Sequence, residues 1–427
     1  MRILLLGAAL VAAASSAAPM QASRPVETFD RAWSIIRDTH FDPSMNGVDW
    51  NAVRAELRPK AEAARSDAEL RAVVRDMLGR LGQSHFALIP ATLDAPGGGG
   101  DLTARPRFDL RPAGDDLLVT RVEEDGAAFR AGVRAGWILT SIAGSSTKAL
   151  LASLPADLPR RLYLVEAWRQ LETRLRGPDA SQIELGFLDG ASRPVSLAVG
   201  RERERGEAIK VGNLPVVFVR VESEARRTPS GGTAGLIRFN AWMPAVDRPF
   251  QEAIDRFRAA DGIVIDLRGN PGGLAAMLMG ISGHFLTERV PLGTMKTREN
   301  ELRFPANPRL VSAAGEPVAP YAGPVAILVD ALTGSASECF AGGMQSLGRA
   351  RVFGQTSMGQ ALPAMFDRMP NGDVLIHAYG DFVTADGTRL EGRGVVPDEE
   401  VPLSRADLLA GRDAALERAL QWIDRTR

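Results

Sequence analysis

A single cysteine in 427 residues, Cys339, leaves the chain without an internal disulfide. Only four lysines occur, Lys60, Lys148, Lys210 and Lys296, so positive charge rests almost wholly on arginine. The formal net charge of −1 gives no general electrostatic reason to expect a nucleic-acid partner. Long apolar runs are also missing. The stretch 3–14 is too short for a comfortable membrane span, and no second candidate follows it. It has one positive charge before it and small residues at 15–18 after it, which predicts a secretory signal peptide over residues 1–22, cleaved after Ala17, Ala18 or Ala22. No cysteine follows to accept a lipid, so the expectation is an exported, periplasmic chain with no integral span once the signal is removed. At this length two or three domains are expected.

Residues 26–88 keep a helical apolar period through Phe29, Trp33 and Ile36, and again through Leu70, Val73, Val74, Met77 and Leu81. A further helix begins at Asp49 and Trp50, after the turn at 43–47. Gly82 stops the last helix and leaves Ser84 and His85 on its exit. Residues 90–100 end in four glycines and predict a linker. Beyond it come a strand at 117–122, a short helix around Ala127 to Ala131, a glycine turn at Gly136 and a strand running to Gly144. A helical insertion at 158–175 and a hairpin at 182–199, turning at Asp189 and Gly190, complete this β-rich module. The alternating run Arg201-Glu202-Arg203-Glu204-Arg205 reads as a solvated strand end or linker rather than a binding patch.

From Gly235 the pattern changes to strand, helix, strand. A strand at 236–239 and a helix at 249–259 lead to an apolar strand at 262–267, which runs into Arg268-Gly269-Asn270-Pro271-Gly272-Gly273 and a helix from Leu274. A second strand-to-helix unit covers 325–348, and a third strand follows at 351–353. Such alternation predicts an α/β fold with a mostly parallel sheet, whose working groups gather at the carboxyl ends of its strands. The expected domains are a helical region at 23–90, a β-rich domain at 101–205 and a catalytic domain at 206–427.

Ser335 stands at the strand-to-helix turn of the second unit, where free N–H groups and the helix dipole stabilise an anion. Acyl-transfer enzymes place a nucleophilic serine in this setting, although on the local pattern alone an ordinary Ser N-cap is the favoured reading. The natural oxyanion donors are the N–H of Ala336 and one from Gly272 or Gly273. The glycine loop lacks the terminal Gly-Lys-Ser/Thr of a phosphate loop. Cys339, one helical turn after Ser335, reads as a packed residue.

Four segments acquire meaning jointly: Asp266-Leu267-Arg268-Gly269-Asn270-Pro271-Gly272-Gly273, Ser335-Ala336-Ser337-Glu338, Gly348-Arg349-Ala350 and Gly354-Gln355-Thr356-Ser357-Met358-Gly359. Together they resemble the carboxyl-terminal processing (tail-specific) peptidase family, and the 125–144 segment resembles a bacterial-type PDZ domain, with Trp137 where that family usually has Asp. The resemblance covers nearly all of the chain after the signal. It implies a ClpP/crotonase-like catalytic domain joined to a PDZ-like domain, with Ser335 rather than Ser337 as nucleophile. The processing branch carries a general-base lysine where this chain has Gln360, and no lysine occurs after Lys296.

The tricorn-core and retinoid-binding-protein-like branch is more similar. Its Ser-His pair after the helical region matches Ser84 and His85, and its Glu before a G-x-x-P-D element matches Glu391. This resemblance implies an acyl-enzyme on Ser335, His85 as general base, and Glu391 orienting the imidazole through Ser84. Glu338 and Asp386 are competing acids. No metal and no cofactor are implied, and the substrate would be a peptide or an unfolded protein segment. A PDZ-like domain would add a peptide as an extra strand. A catalytically silent PDZ-type scaffold, and an esterase or lipid carrier, are the alternative readings.

Overall fold

The computed structural model describes residues 25–91, 102–152, 154, 160–210 and 216–426. The expected signal peptide and nearly all of the glycine-rich linker lie outside the described residues. The chain opens with three helices, Pro25–Thr39, Trp50–Glu62 and Asp67–Gly79. Asp49 caps the second by accepting the N–H of Ala52, and Ser66 caps the third through Glu69. Their apolar faces meet at Phe29, Ile36, Leu57, Leu70 and Val74. The same cluster takes in Leu88, Met369 and Leu375, so these helices are packed onto a distant part of the chain.

A largely antiparallel sheet follows, built from Phe108–Ala113, Asp116–Val122, Ile138–Ile142, Gln182–Leu188 and Pro194–Gly200. Leu171 and Leu175 of the Arg160–Leu175 helix close its core, and Trp137 packs edge-on to Phe187. The run 201–205 departs from expectation. Glu202 accepts from Arg107, from Arg130 and from the N–H of Ala127, Glu204 pairs with Arg176, and Arg205 pairs with Asp125. Charges alternating at strand period present one sign to one face, and here that face meets arginines of the same module. The run is therefore a seam rather than a solvated end.

The second half of the chain contains a six-stranded sheet in the order Val221–Arg227, Thr233–Phe239, Gly262–Asp266, Val325–Val329, Arg351–Gly354, Glu399–Glu400. Only the first pair is antiparallel. The two central strands are buried at every residue, as expected of parallel strands covered on both faces. The Ala336–Ser346 helix contributes to the core on one face, and the Ala414–Thr426 helix covers the other. The helix expected from Leu274 begins at Met277, because Leu274 N–H is held by the Trp242 carbonyl in a bridge to Gly273.

A three-stranded sheet joins the two halves of the sequence. Val374–Ala378 lies between Ala87–Ile89 and Ala364–Arg368 and is antiparallel to both. The outer strands consequently run the same way. The segments that feed them, Ser84–His85 and Gln360–Ala361, enter at the same end, and Arg71 clamps the other end through Asp373 at 2.8 Å.

Candidate active site

At the end of the Val325–Val329 strand, Asp330 accepts the N–H groups of Leu332 and Gly269. Gly334 N–H bonds the Asn270 carbonyl at 3.0 Å, and Ser335 N–H bonds the Gln360 carbonyl at 2.9 Å. The turn carrying Ser335 is thus tied to a loop on either side. Ser335 has φ 52° and ψ −121°, which costs a non-glycine residue about 1–3 kcal/mol. The conformation leaves its side chain partly exposed, whereas Ser337 is fully buried with its hydroxyl accepting from the Trp242 indole at 2.8 Å. Cys339 is buried and its thiol is pushed well above its usual pKa by desolvation, as befits a packed residue.

Glu338 holds the turn together. Its fully buried carboxylate accepts from Ser335 N–H, Ser357 Oγ, Gly359 N–H and Gln360 N–H. Burial pushes its pKa up to about 7 against the pull of those donors. Glu338 therefore belongs to the Ser335 turn. Asp386 caps its own turn, accepting from Thr384 and Thr388.

Gly272 faces Ser335 so closely that a Cβ there would lie 2.6 Å from the serine Cβ. Its N–H, one of the two alternatives for the oxyanion, is occupied by the Asn270 side chain at 3.0 Å. Among the described residues, the N–H groups of Gly273 and Ala336 have no hydrogen-bonding acceptor.

His85 arrives from the exit of the third helix, as the glycine stop predicted. Its Nδ1 lies 2.8 Å from Ser84 Oγ, which donates to Glu391 Oε2 at 2.9 Å. Glu391 Oε1 takes the backbone N–H of Ser84, and Oε2 also takes that of Ala361, each at 2.9 Å. Because the one proton of Ser84 goes to Glu391, the hydroxyl must accept from Nδ1–H, which leaves Nε2 as the basic nitrogen. Glu391 is half-buried and its pKa is raised by desolvation. Desolvation, with Arg169 adding repulsion, pushes His85 down to about 4. No hydrogen bond joins His85 to the Ser335 hydroxyl in this structure. The other histidines are committed elsewhere: His40 to Asp42 and Gln83, His377 to Thr39 and Asp367, and His284 to an apolar core.

The Arg160–Leu175 helix of the first sheet packs beside the Ser335 turn. Val165 and Trp168 pack on Leu332 and Met358, and the Met358 sulfur lies about one contact distance from where a Gly334 Cβ would be. Arg111 of the same sheet bonds Asp330 at 2.6 Å. Neither contact was legible in the sequence, which has no motif at Trp168, Arg169 or Arg111. Among the described residues no group of three or more His, Cys, Asp or Glu could hold a metal ion, and no helix is long and apolar enough to cross a membrane.

Residues 233–401 match peptidase family S41, and residues 25–79 match the tricorn protease C1 domain. A carboxyl-terminal-processing protease of Synechocystis sp. is 22% identical over 405 residues, covering 92% of this chain and 85% of the relative. The chloroplastic carboxyl-terminal-processing peptidase 2 of Arabidopsis thaliana is 26% identical over 88% of this chain and 68% of its own length. The solved structure of the photosystem II D1 C-terminal processing protease superposes with a TM-score of 0.59 at 23% identity, over 92% of this chain and 99% of that one. The mixed α/β fold with amino-terminal helices is shared with that structure. The match to peptidase family S41 over residues 233–401, together with the carboxyl-terminal-processing relatives, indicates a serine-type peptidase.

Proposed function

We propose that Ser335 is the nucleophile and His85 its general base. With an extended peptide in the cleft, His85 Nε2 takes the Ser335 proton as Oγ attacks the scissile carbonyl. The tetrahedral oxyanion is held by the N–H groups of Ala336 and Gly273. The imidazolium then gives its proton to the departing amine, leaving an acyl-serine, and water activated by the same imidazole releases the acid. Glu391, acting through Ser84, fixes the ring and offsets its charge. The observation that carries this reading is the His85–Ser84–Glu391 chain of hydrogen bonds, which ends on Ala361, the neighbour of the residue whose carbonyl holds Ser335 N–H. Proton transfer requires the ring to close on Ser335 from the position seen here, a tightening common between free and substrate-bound enzymes.

The antiparallel sheet at 101–205 is assigned as the PDZ-like domain, the region 23–90 as the helical domain and 206–427 as the catalytic domain. The leader at 1–22 supports export to the periplasm. The S41 match and the carboxyl-terminal-processing relatives support peptides or unfolded protein segments as substrates. The strained Ser335 backbone favours this reading over a silent scaffold: such strain persists where the surrounding structure enforces it for use. Mass spectrometry after treatment with a fluorophosphonate tests the assignment. A single adduct on Ser335, with loss of casein hydrolysis in Ser335→Ala, is expected. No adduct in well-folded protein would support the scaffold.

A further inference from the structure

The Ala364–Arg368 strand is the open edge of the three-stranded sheet, and its backbone is aimed in a definite way. Tyr379 N–H bonds the Pro363 carbonyl and Met369 N–H bonds the Asp373 carbonyl. Antiparallel partners alternate between hydrogen-bonded and non-bonded pairs. The bonded pairs on this hairpin are therefore 363 with 379, 365 with 377, 367 with 375 and 369 with 373. The N–H and C=O groups of Ala364, Phe366 and Arg368 point the other way, off the edge. Among the described residues none of them has a hydrogen-bond partner.

Native edges are usually blunted by proline, a bulge, lysine or a covering element. This one has no proline, no register shift and no lysine. It also shows two large apolar side chains, Met365 at 48% and Phe366 at 52% exposure, on opposite faces. Its position supplies the occupant. Gln360, whose carbonyl holds Ser335 N–H, lies four residues upstream of Ala364, a span of at most ~14 Å of extended chain. The edge is continuous with the segment that frames the nucleophile.

We infer that the substrate polypeptide is held as an added strand on the open edge of Ala364–Arg368, pairing with the backbone of Ala364, Phe366 and Arg368 and laying successive side chains against Phe366 and Met365. The inference deepens the proposed peptidase site and rests on that reading for its occupant. Main-chain pairing gives affinity for any unfolded segment, and the two apolar side chains favour apolar residues at two successive substrate positions, one on each face. A folded protein, whose strands are already paired, is excluded.

The test separates binding from chemistry. Fluorescein-labelled casein is titrated by fluorescence polarisation into the Ser335→Ala protein and into the same background carrying Phe366→Pro or Phe366→Thr. Proline removes the outward N–H, yet leaves the bonds to the Val374–Ala378 strand in place, as edge positions allow. Threonine keeps the N–H and loses the ring. At least tenfold weaker binding is expected for the proline variant, and less than threefold weakening for threonine. Arg368→Pro, which removes another outward N–H, replaces Phe366→Pro if that variant has a collapsed melting temperature. Equal binding by the proline variant, or no casein binding by Ser335→Ala itself, overturns the inference. So does a dimer in sedimentation that the proline variant converts to monomer, since the edge would then serve a second copy of this chain. Failure of the catalytic assignment shows separately, as absence of a fluorophosphonate adduct on Ser335 in the unsubstituted protein.

Discussion

Glu391 holds Ser84 with both carboxylate oxygens, Oε1 on the backbone N–H and Oε2 on the hydroxyl, each at 2.9 Å across a sequence separation of 307 residues. That double contact fixes where the imidazole of the next residue sits and which of its nitrogens is basic. Glu391→Gln keeps the size but places an amide N–H₂ against one of three donors. The expected result is a fall in kcat of roughly 10²- to 10⁴-fold with KM changed little, by analogy with removal of the orienting acid in other serine enzymes. Ser84→Ala should fall in the same direction by less. Equal kcat in all three proteins would show that Glu391 is structural only.

The acid limb of activity should lie near 4, not 6.5, because His85 must be neutral to accept a proton and its pKa is lowered to about 4. Activity is then present above that value and lost below it. Arg169→Gln removes the repulsive cation, so the limb moves upward. The kcat/KM profile between pH 3.5 and 7 reads both results, and a limb unmoved by Arg169→Gln would remove the electrostatic part of the explanation.

Glu338→Gln should destabilise the Ser335 turn. Each carboxylate oxygen accepts a backbone N–H from opposite sides, Gly359 on Oε1 and Gln360 and Ser335 on Oε2, so either amide orientation opposes donor to donor. A loss of ~1–3 kcal/mol is expected for a buried group left mismatched. Urea unfolding measures it, and an unchanged midpoint would contradict the account.

His284 is buried at 1% exposure beside Phe250 and Phe285, and neither ring nitrogen has a partner. Desolvation lowers its pKa to about 3. Between that value and the unfolded value near 6.5, the unfolded chain binds more protons than the folded one, so stability falls as pH drops through this window. His284→Leu should raise the melting temperature and flatten the pH dependence of stability from pH 6.5 toward 3. A lower melting temperature at neutral pH would mean that the imidazole is satisfied in a way its surroundings do not show.

The Ser335 turn was legible locally, as a strand running into small residues, and a glycine stop placed Ser84 and His85 on a helix exit. The roles proposed for Ser84, His85 and Glu391 came instead from the resemblance to the tricorn-core branch. Other features depend on contacts between segments remote in sequence. Which glycine N–H remains open is decided by the Asn270 side chain, and no pattern in Gly272-Gly273 encodes that choice. Trp168 and Arg169 come near the Ser335 turn and His85 because a helix of the antiparallel sheet docks there, and in the sequence that helix reads only as a helical insertion. The charges at 201–205 looked solvated because their partners, Arg107, Arg130 and Arg176, lie elsewhere in the chain.

The proposed catalytic pairing of His85 with Ser335 is tested most directly by the second-order rate of fluorophosphonate addition to Ser335 at pH 7 in the unsubstituted protein and in His85→Ala. Loss of the general base predicts a rate at least ~10²-fold lower in the variant, with the fold intact. Equal rates would mean that His85 does not take the Ser335 proton.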